Sequence, residues 1–501
     1  MTNVLSYLEH SAQLFPEKTA FADIDEAVTY SELVSRAKSI GTALLKAGKG
    51  GEGVPVFLAK SVRAVSVFMG AVYAGCFYSM MDVKQPAARL GKILETLDSD
   101  FLVTDRAHLQ EAGELAALAK PDILLYEDLL QTPVDEALLT KARERAIDTD
   151  PLYVNFTSGS TGVPKGVAVC HRSVIDFIDC FTEMFGIDET DVMGGQAPFD
   201  FDVSVKDIYS TLRMGATMQI IPPAYFSIPT QLLDFLIDRG VTTLIWAVSA
   251  VTLISRLHGF TYRVPDRIKR VIFSGEVMPI KQLNIWREAL PDTTFINVYG
   301  PTEITCNCTW YVVDRPYDVD EALPMGKPFP NERVFLLDES DHLVTKSGIE
   351  GEICVAGTAL ALGYYRNPEA TAAAFVQNPL QSRYPELIYR TGDLAVYMED
   401  GNLLFTGRKD HQIKHMGHRI ELGEIEQAMN AVPEIECCCV LFRKEKIVAF
   451  YAGDLDKKTL AGRLKERIPD YMVPNVFRQM EQLPMNKNGK IDRKALEVTL
   501  R

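Results

Sequence analysis

Apolar positions along the first 300 residues switch repeatedly between helical spacing and short continuous runs. Helical spacing predicts helices over Tyr30–Ala47, Ala64–Tyr73, Ile208–Leu212 and Gln231–Arg239. Apolar runs predict strands over Val54–Leu58, Asp100–Val103, Leu152–Phe156 and Thr217–Ile221. Alternation of this kind is typical of an α/β fold that contains parallel sheets.

The pattern changes twice in the last third of the chain. From about residue 325 to 409, short strands separated by Gly, Asp and Asn predict a small β-rich unit: Arg333–Leu337, Gly351–Val355, Asp393–Tyr397 and Asn402–Phe405. From Asp410 onward the order helix, strand, strand, helix predicts an α+β unit: Leu422–Ala431, Cys437–Phe442, Ile447–Ala452 and Thr459–Arg467.

Composition supports a multi-domain globular protein. The chain has 501 residues, of which 47% are hydrophobic and 24% charged. A net charge of −15 argues against a nucleic-acid partner. No apolar run reaches the ~18 residues of a membrane helix, and the N-terminus lacks the features of a secretory signal, so we expect no membrane association and a cytoplasmic location.

The most informative motif is Phe-Thr-Ser-Gly-Ser-Thr-Gly-Val-Pro-Lys-Gly at residues 156–166, directly after a predicted strand. Glycines let backbone N–H groups approach an anion, hydroxyls donate to phosphate oxygens, and Lys165 adds a positive charge. The motif therefore predicts a loop that binds a polyphosphate. It is not a Walker A loop, because Gly166 follows the lysine where that pattern requires Ser or Thr.

Four more clusters complete the candidate chemistry. Asn297–Glu303 offers an aromatic face, an amide and a hard carboxylate ligand for Mg²⁺. Tyr389–Leu394 places a carboxylate at a turn, where it suits a pair of ribose hydroxyls, and Gly407–Asp410 adds a guanidinium. Asn488–Arg493 presents a lysine on a glycine turn.

Together, and in this order, these motifs resemble the adenylate-forming enzymes, in particular the amino-acid adenylation domains of nonribosomal peptide synthetases and the stand-alone D-alanine–carrier protein ligases. The resemblance covers essentially the whole chain. It implies a large N-terminal domain of stacked mixed and parallel sheets at 1–409, which includes the β-rich subdomain, and a small mobile α+β lid at 410–501. It also implies ATP and Mg²⁺ as cofactors.

The resemblance assigns roles to individual residues. The phosphate loop would be formed by Thr157, Ser158, Gly159, Ser160, Thr161, Gly162 and Lys165. The remaining nucleotide contacts would come from Asn297 and Tyr299 (adenine), Thr302 (α-phosphate), Asp393 and Arg408 (ribose), and Glu303 (Mg²⁺). Asp410 would be the hinge of the lid, and Lys490 would bridge the substrate carboxylate and the α-phosphate during adenylation.

The same resemblance indicates that the activated carboxylic acid is an amino acid. Asp202 matches the carboxylate that pairs with the α-ammonium group of an amino acid, although an aspartate here also suits a helix N-cap. The rest of the pocket would be lined by Val203, Lys206, Ile272, Ser274, Val298, Cys306 and Asn307.

Lys206 and Ser274 bear on the identity of the substrate. Lys206 lies four residues after Asp202, on the same helix face, where it would meet a second carboxylate of the substrate, pair with Asp202, or reach solvent. Ser274 stands where D-alanine ligases usually carry cysteine, which weakens that assignment.

The expected activity is therefore ATP-dependent adenylation of an amino acid, followed by transfer to the phosphopantetheine thiol of a carrier protein. Because the chain ends at Arg501, soon after Lys490, we expect that carrier to be a separate protein. The alternatives are a D-alanine–carrier protein ligase for cell-wall polymers, a coenzyme A ligase for other carboxylic acids, and a binding protein that has lost catalysis.

Overall fold

The computed structural model of the chain describes residues 2–119, 121–159, 163–409, 412–485 and 491–500. Its α-helices are α1 Leu5–Leu14, α2 Tyr30–Lys46, α3 Val62–Tyr73, α4 Ala87–Leu97, α5 Leu109–Ala119, α6 Tyr126–Leu129, α7 Glu136–Arg145, α8 His171–Phe185, α9 Val203–Met214, α10 Pro229–Asp238, α11 Val248–Arg256, α12 Ile280–Ala289, α13 Pro368–Ala374, α14 Leu422–Asn430, α15 Lys457–Lys465 and α16 Arg493–Val498.

The strands that build the two large sheets are β1 Thr19–Ala22, β2 Ala27–Thr29, β3 Gly53–Leu58, β4 Phe77–Asp82, β5 Phe101–Thr104, β6 Asp122–Leu125, β7 Pro151–Thr157, β8 Lys165–Cys170, β9 Val192–Gly195, β10 Thr217–Ile220, β11 Thr243–Ala247, β12 Arg270–Ser274, β13 Thr294–Tyr299, β14 Thr309–Val312, β15 Lys327–Pro328 and, later in the chain, β19 Gly363–Tyr364. The smaller sheets are built from β16 Glu332–Leu337, β17 Leu343–Val344, β18 Glu350–Gly357, β20 Phe375–Gln377, β21 Leu387–Tyr397, β22 Leu403–Arg408, β23 Gln412–His415, β24 His418–Glu421, β25 Ile435–Arg443, β26 Lys446–Gly453 and β27 Val476–Gln479.

Two large mixed sheets form the body of the protein. One has the strand order β15-β14-β13-β12-β11-β9-β10-β1-β2, and the other has the order β19-β8-β7-β4-β3-β5-β6. The strands from β13 to β1 in the first sheet and from β7 to β6 in the second run parallel. One apolar core, which includes Phe21 of β1 and Tyr153 of β7, joins both sheets. The predicted α/β class with parallel sheets is confirmed.

Helix α9 runs through the interior, and its residues from Ser204 to Leu212 are buried. It begins directly after Asp202 and ends at Gly215, whose φ of 68° lies in the left-handed region that glycine adopts without strain. The N-terminus of α9 and the carboxyl ends of β7, β12 and β13 meet at one place, the usual position of a ligand site in α/β folds.

The two smaller units match the predicted change of pattern. Strands β16–β18 and β20–β22 form an antiparallel sheet in the order β17-β16-β18-β21-β20, with β22 added to β21. In the C-terminal unit, β25, β26 and β27 form a three-stranded sheet, and its apolar core includes Ile425 of α14, Val440 of β25 and Leu460 of α15. The division at residue 410 stays a prediction, because Asp410 lies outside the described residues.

Within the described parts of the chain, no helix combines the length and the apolar character that a membrane span requires.

Candidate active site

The candidate phosphate loop connects β7 to β8. Thr157 at the end of β7 pairs with Lys165 at the start of β8, so the loop leaves and re-enters the same sheet. At Gly159 an added Cβ would lie 2.1 Å from the Val163 carbonyl oxygen, so only glycine fits. The Lys165 ammonium lies over the Tyr364 ring, 5.3 Å from its centroid. Ser160, Thr161 and Gly162 lie outside the described residues.

A cavity of about 80 Å³ brings the predicted motifs together. Its lining includes residues from four of the five predicted motifs and from the predicted amino-acid pocket: Thr157, Ser158, Asp202, Val203, Ser274, Thr302, Cys306, Asn307, Asp393 and Arg408. A larger groove of about 560 Å³ lies elsewhere, between Arg287 and Pro316, and contains none of the predicted site residues. The cavity, rather than the groove, is therefore the candidate active site.

Asp202 lies at the N-terminus of α9 and faces the cavity. Its side chain makes no capping hydrogen bond to the helix, so the N-cap interpretation does not account for it. Burial raises the pKa of the Asp202 carboxyl, while a hydrogen bond with Thr302 and the charge of Lys206 oppose that rise. A carboxylate here is suited to receive an ammonium group.

Lys206 points inward, one helical turn after Asp202, and is 1% exposed. Its Nζ donates to Asn307 Oδ1 at 2.7 Å and to Ser274 Oγ at 3.4 Å, and both partners line the cavity. Lys206, Ile272 and Val298 are predicted to line the pocket, but none of them is among the residues that line the cavity, and Ile272 and Val298 are buried side chains of β12 and β13.

Cys306 closes the pocket on the side of β13. The backbone there is strained, because Thr305 and Cys306 have φ values of 51° and 77°, in the left-handed region. The conformation is held by hydrogen bonds from Thr305 Oγ1 to Ala359 O at 2.7 Å and from Cys306 Sγ to Asp202 O at 3.1 Å.

The predicted nucleoside contacts lie on β13, β21 and β22. Tyr299 donates its hydroxyl hydrogen to Asp393 Oδ2 at 2.5 Å, and Arg408 forms an ion pair with Asp393 Oδ1. Asn297 donates to the Pro324 carbonyl oxygen at 2.7 Å. Asp393 is thus a buried carboxylate that a tyrosine and an arginine orient.

Glu303 is 1% exposed and both of its carboxylate oxygens have partners. Oε1 accepts from the Tyr364 hydroxyl at 2.7 Å, and Oε2 accepts from Arg419 Nη1 at 2.8 Å. Burial alone would raise the pKa of the Glu303 carboxyl, but Arg419 and Tyr364 hold it below its ordinary value.

The C-terminal unit inserts the hairpin β23–β24 into this site, and the family resemblance implies this position for Gly417 and its neighbours during thiol transfer. Besides Arg419, the hairpin places the Lys414 ammonium over the Tyr299 ring, 4.9 Å from its centroid. Gly417 N donates to Glu276 Oε1 at 3.0 Å. Because these contacts join segments more than 100 residues apart, the sequence held only one signal for them, the match of Gly407–Glu426 to the family pattern. Lys490 lies outside the described residues.

The C-terminal unit also contacts the candidate phosphate loop directly. Ser158 Oγ donates to the Arg419 carbonyl oxygen at 2.8 Å and accepts from Glu421 N at 3.2 Å. Gly159 N donates to Glu424 Oε2 at 3.2 Å. In this orientation, two groups that are predicted to bind phosphate are engaged by the C-terminal unit.

Comparison with known proteins gives consistent matches over nearly the whole chain. Residues 8–365 match the family described as AMP-binding enzyme, and residues 424–490 match the AMP-binding enzyme C-terminal domain. The sequence is 32% identical to delta-poly-L-ornithine synthetase of Acinetobacter baumannii over 98% of this chain. It is 31% identical to zwittermicin A synthase ZmaJ of Bacillus cereus over 99% of this chain.

The lengths of these relatives differ. The chain spans 36% of delta-poly-L-ornithine synthetase and 95% of ZmaJ. Among solved structures, holo-PA1221, an NRPS protein that contains adenylation and PCP domains bound to a vinylsulfonamide inhibitor, matches with a TM-score of 0.84 at 25% identity. That match covers 99% of this chain and 84% of the other.

Proposed function

The chain belongs to the AMP-binding, adenylate-forming enzymes, and we propose that it activates an amino acid with ATP and transfers it to the phosphopantetheine thiol of a separate carrier protein. One observation carries this proposal. Asp202 shares a single cavity with Thr157 and Ser158 of the candidate phosphate loop and with Asp393. An ammonium-binding carboxylate next to nucleotide-binding groups is the arrangement that amino-acid adenylation requires.

In the first half-reaction, a carboxylate oxygen of the amino acid attacks the α-phosphorus of ATP. The bond between the α-phosphorus and the oxygen that bridges to the β-phosphorus breaks, and pyrophosphate leaves with the bonding electrons. Two anions must approach each other, so the site has to supply positive charge. We assign this role to Lys490, on the family pattern, and to Lys165 of the phosphate loop.

Glu303 is the proposed protein ligand of Mg²⁺. Among the described residues, no group of three or more His, Cys, Asp and Glu side chains would hold a metal alone. A single carboxylate still fits Mg²⁺, which usually takes one or two protein ligands and completes its shell with phosphate oxygens and water. When bound, the ion would neutralise phosphate charge.

In the second half-reaction, the carrier thiol attacks the acyl carbonyl carbon, AMP leaves with the bonding electrons, and the thiol proton is released. The position of the C-terminal unit supports assigning the observed orientation to this step. Ser158, Gly159 and Glu303 are engaged by the unit, so they are not free for the outer phosphates or for a metal ion. Lys414 and Arg419 then supply the positive charge in the cavity.

Asp202 favours this proposal over the alternative function, a coenzyme A ligase for fatty or aryl acids. A carboxylate that lines the acyl pocket stabilises an α-ammonium group, whereas it would be an unpaired charge beside an apolar acid. The carboxylate therefore favours amino acids over acids that lack an amine.

The proposal is tested by ATP–pyrophosphate exchange with the purified protein. The panel contains the twenty amino acids, D-alanine, a fatty acid and an aryl acid, with and without Mg²⁺. We expect Mg²⁺-dependent exchange with at least one amino acid, and AMP release when a phosphopantetheinylated carrier protein is added. Exchange with only the fatty or aryl acid would contradict the amino-acid proposal, and exchange with D-alanine alone would identify a D-alanine ligase.

A further inference from the structure

Beneath the amino-acid pocket lies a buried cation that the proposed chemistry does not use. The Lys206 ammonium makes hydrogen bonds to Asn307 Oδ1 and Ser274 Oγ, and both of these partners are neutral. Across the described ranges, no ion pair within 4.0 Å includes Lys206. A buried charge without a counter-charge is costly, and such charges are usually paired or neutralised. In the free pocket, therefore, no carboxylate of the described residues lies within ion-pair distance of the Lys206 ammonium, although Asp202 and Asp207 are near enough to act on it electrostatically.

The groups around Lys206 define what kind of anion fits. An ammonium has three donor hydrogens and no acceptor, and two of the three serve Asn307 and Ser274. Because Asn307 accepts at Oδ1, its Nδ2 group remains a donor, and the Ser274 hydroxyl donates as well. This part of the wall therefore offers donors, and the ligand group that satisfies several donors at once is a carboxylate.

The spacing of Asp202 and Lys206 along α9 indicates where a second carboxylate would lie in the substrate. Asp202, the proposed partner of the α-ammonium group, precedes Lys206 by one helical turn, which advances ~5.4 Å along the axis. An amino acid anchored at Asp202 would therefore direct its side chain toward the wall that Ser274 and Asn307 form, and the Lys206 ammonium lies directly behind these two residues.

We infer that the substrate is an amino acid whose side chain has the length of that of aspartate or glutamate and ends in a second carboxylate. We also infer that Lys206 selects this substrate, and both statements rest on the proposed function. The substrate ammonium would pair with Asp202 and its side-chain carboxylate with Lys206. This arrangement leaves no unpaired charge in the pocket. A neutral amide of the same shape would leave the ammonium without a counter-charge.

A structural role for Lys206 is the competing explanation. Asp202 and Asp207 both lie near enough to act on the ammonium electrostatically, so the lysine would then only balance internal charge. Lys60 provides a matched control for that role. It is also an inward-pointing lysine near Asp207, but its Nζ donates to the carbonyl oxygens of Gly195 and Gln196 rather than to residues that line the cavity.

The test is pyrophosphate exchange with four substrates, L-aspartate, L-asparagine, L-glutamate and L-glutamine, measured for the wild type, Lys206→Met, Lys206→Gln and Lys60→Met. We expect the wild type to prefer one acid over its amide by about 100-fold in kcat/KM. Lys206→Met should lower kcat/KM for the acid by about 100-fold and change it little for the amide. Lys206→Gln should bring the amide level with the acid or above it, and Lys60→Met should keep the wild-type ratio.

Each alternative result overturns the inference. A wild type that exchanges only with neutral amino acids would refute acidic selectivity, yet it would leave the proposed adenylation intact. An equal loss for acid and amide in Lys206→Met would indicate a structural role. The wild-type comparison does not depend on whether a variant folds, and ATP-induced thermal stabilisation checks the folding of each variant. Absence of exchange with every amino acid would refute the proposed function itself.

Discussion

Arg89 of α4 and Glu424 of α14 form an ion pair across the two parts of the protein, with Nη1 and Oε1 2.5 Å apart. The two side chains are 4% and 5% exposed. The second oxygen of Glu424 accepts from Gly159 N in the candidate phosphate loop. The same carboxylate therefore holds the C-terminal unit to the body of the protein and occupies an amide that is predicted to bind phosphate.

We predict that Glu424→Gln slows thioester formation about tenfold and leaves pyrophosphate exchange unchanged or faster. A buried ion pair that loses one partner costs ~3–5 kcal/mol, and glutamine recovers part of this by hydrogen bonding. The loss falls on the orientation that the pair stabilises, so the population shifts away from it. Single-turnover transfer from preformed aminoacyl-AMP to a carrier protein measures the first quantity.

Glu426→Gln is the matched control for that variant. Glu426 pairs with Arg493 at 2.5 Å, and both residues belong to the C-terminal unit. Its loss removes an ion pair within the unit but none between the unit and the body, so we expect little change in transfer. Equal slowing of transfer in both variants would argue against a specific role for the Arg89–Glu424 pair.

Lys490→Ala should slow adenylation by ~10²–10³-fold, because a cation that stabilises the developing charge is lost. Transfer of a preformed aminoacyl adenylate to the carrier should change less than threefold, because in the observed orientation Lys414 and Arg419 supply the positive charge in the cavity. The two half-reactions are measured separately by pyrophosphate exchange and by single-turnover transfer. Equal losses of rate in both half-reactions would contradict a lid movement that replaces Lys490 in the cavity with Lys414 and Arg419.

Asp202→Asn should raise the KM for the amino acid by ~10–100-fold and leave ATP binding nearly unchanged. The variant keeps the shape of the side chain but removes the charge that pairs with the α-ammonium group, a loss typical of a charged hydrogen bond. Titration calorimetry with ATP and exchange kinetics with the amino acid separate the two effects. Unchanged amino-acid kinetics would remove Asp202 from the substrate pocket.

Asp207 makes the stability of the protein depend on pH. Its carboxylate is fully buried, and among the described residues neither of its oxygens has a hydrogen-bond partner. Burial raises the pKa of Asp207 to about 8, although Lys60 and Lys206 oppose the rise. An unfolded aspartate has a pKa of ~3.9, so between these values the folded state binds more protons, and the contribution of Asp207 to stability falls as pH rises.

We therefore expect Asp207→Asn, which stays neutral at every pH, to gain stability relative to the wild type as pH rises from 5 to 8. The difference should level off above that range and reach at most ~5 kcal/mol in the free energy of unfolding. Denaturant unfolding of both proteins at a series of pH values measures it. A difference that is constant with pH, or that shrinks as pH rises, would show that Asp207 is ionised throughout.

The predicted helices and strands agree with the structure because they depend on local periodicity. Tyr30–Ala47 was predicted as a helix and α2 spans Tyr30–Lys46, and the runs near Cys437 and Ile447 became β25 and β26. The family resemblance is confirmed by the match of residues 8–365 and 424–490 to the AMP-binding enzymes and their C-terminal domain. The sequence could predict it because each motif is a short segment and the motifs follow one another in a fixed order. The roles of the individual site residues and the hinge at Asp410 stay predictions.

The sequence by itself determined the fold class, the order of the motifs and the residue types available for the chemistry. Only the tertiary structure decided that Lys206 turns inward to Asn307, that Arg419 lies on Glu303, and that Arg89 meets Glu424, 335 residues away. Periodicity sets which face of a helix is apolar, but packing decides where a long polar side chain ends and which distant charge compensates its burial.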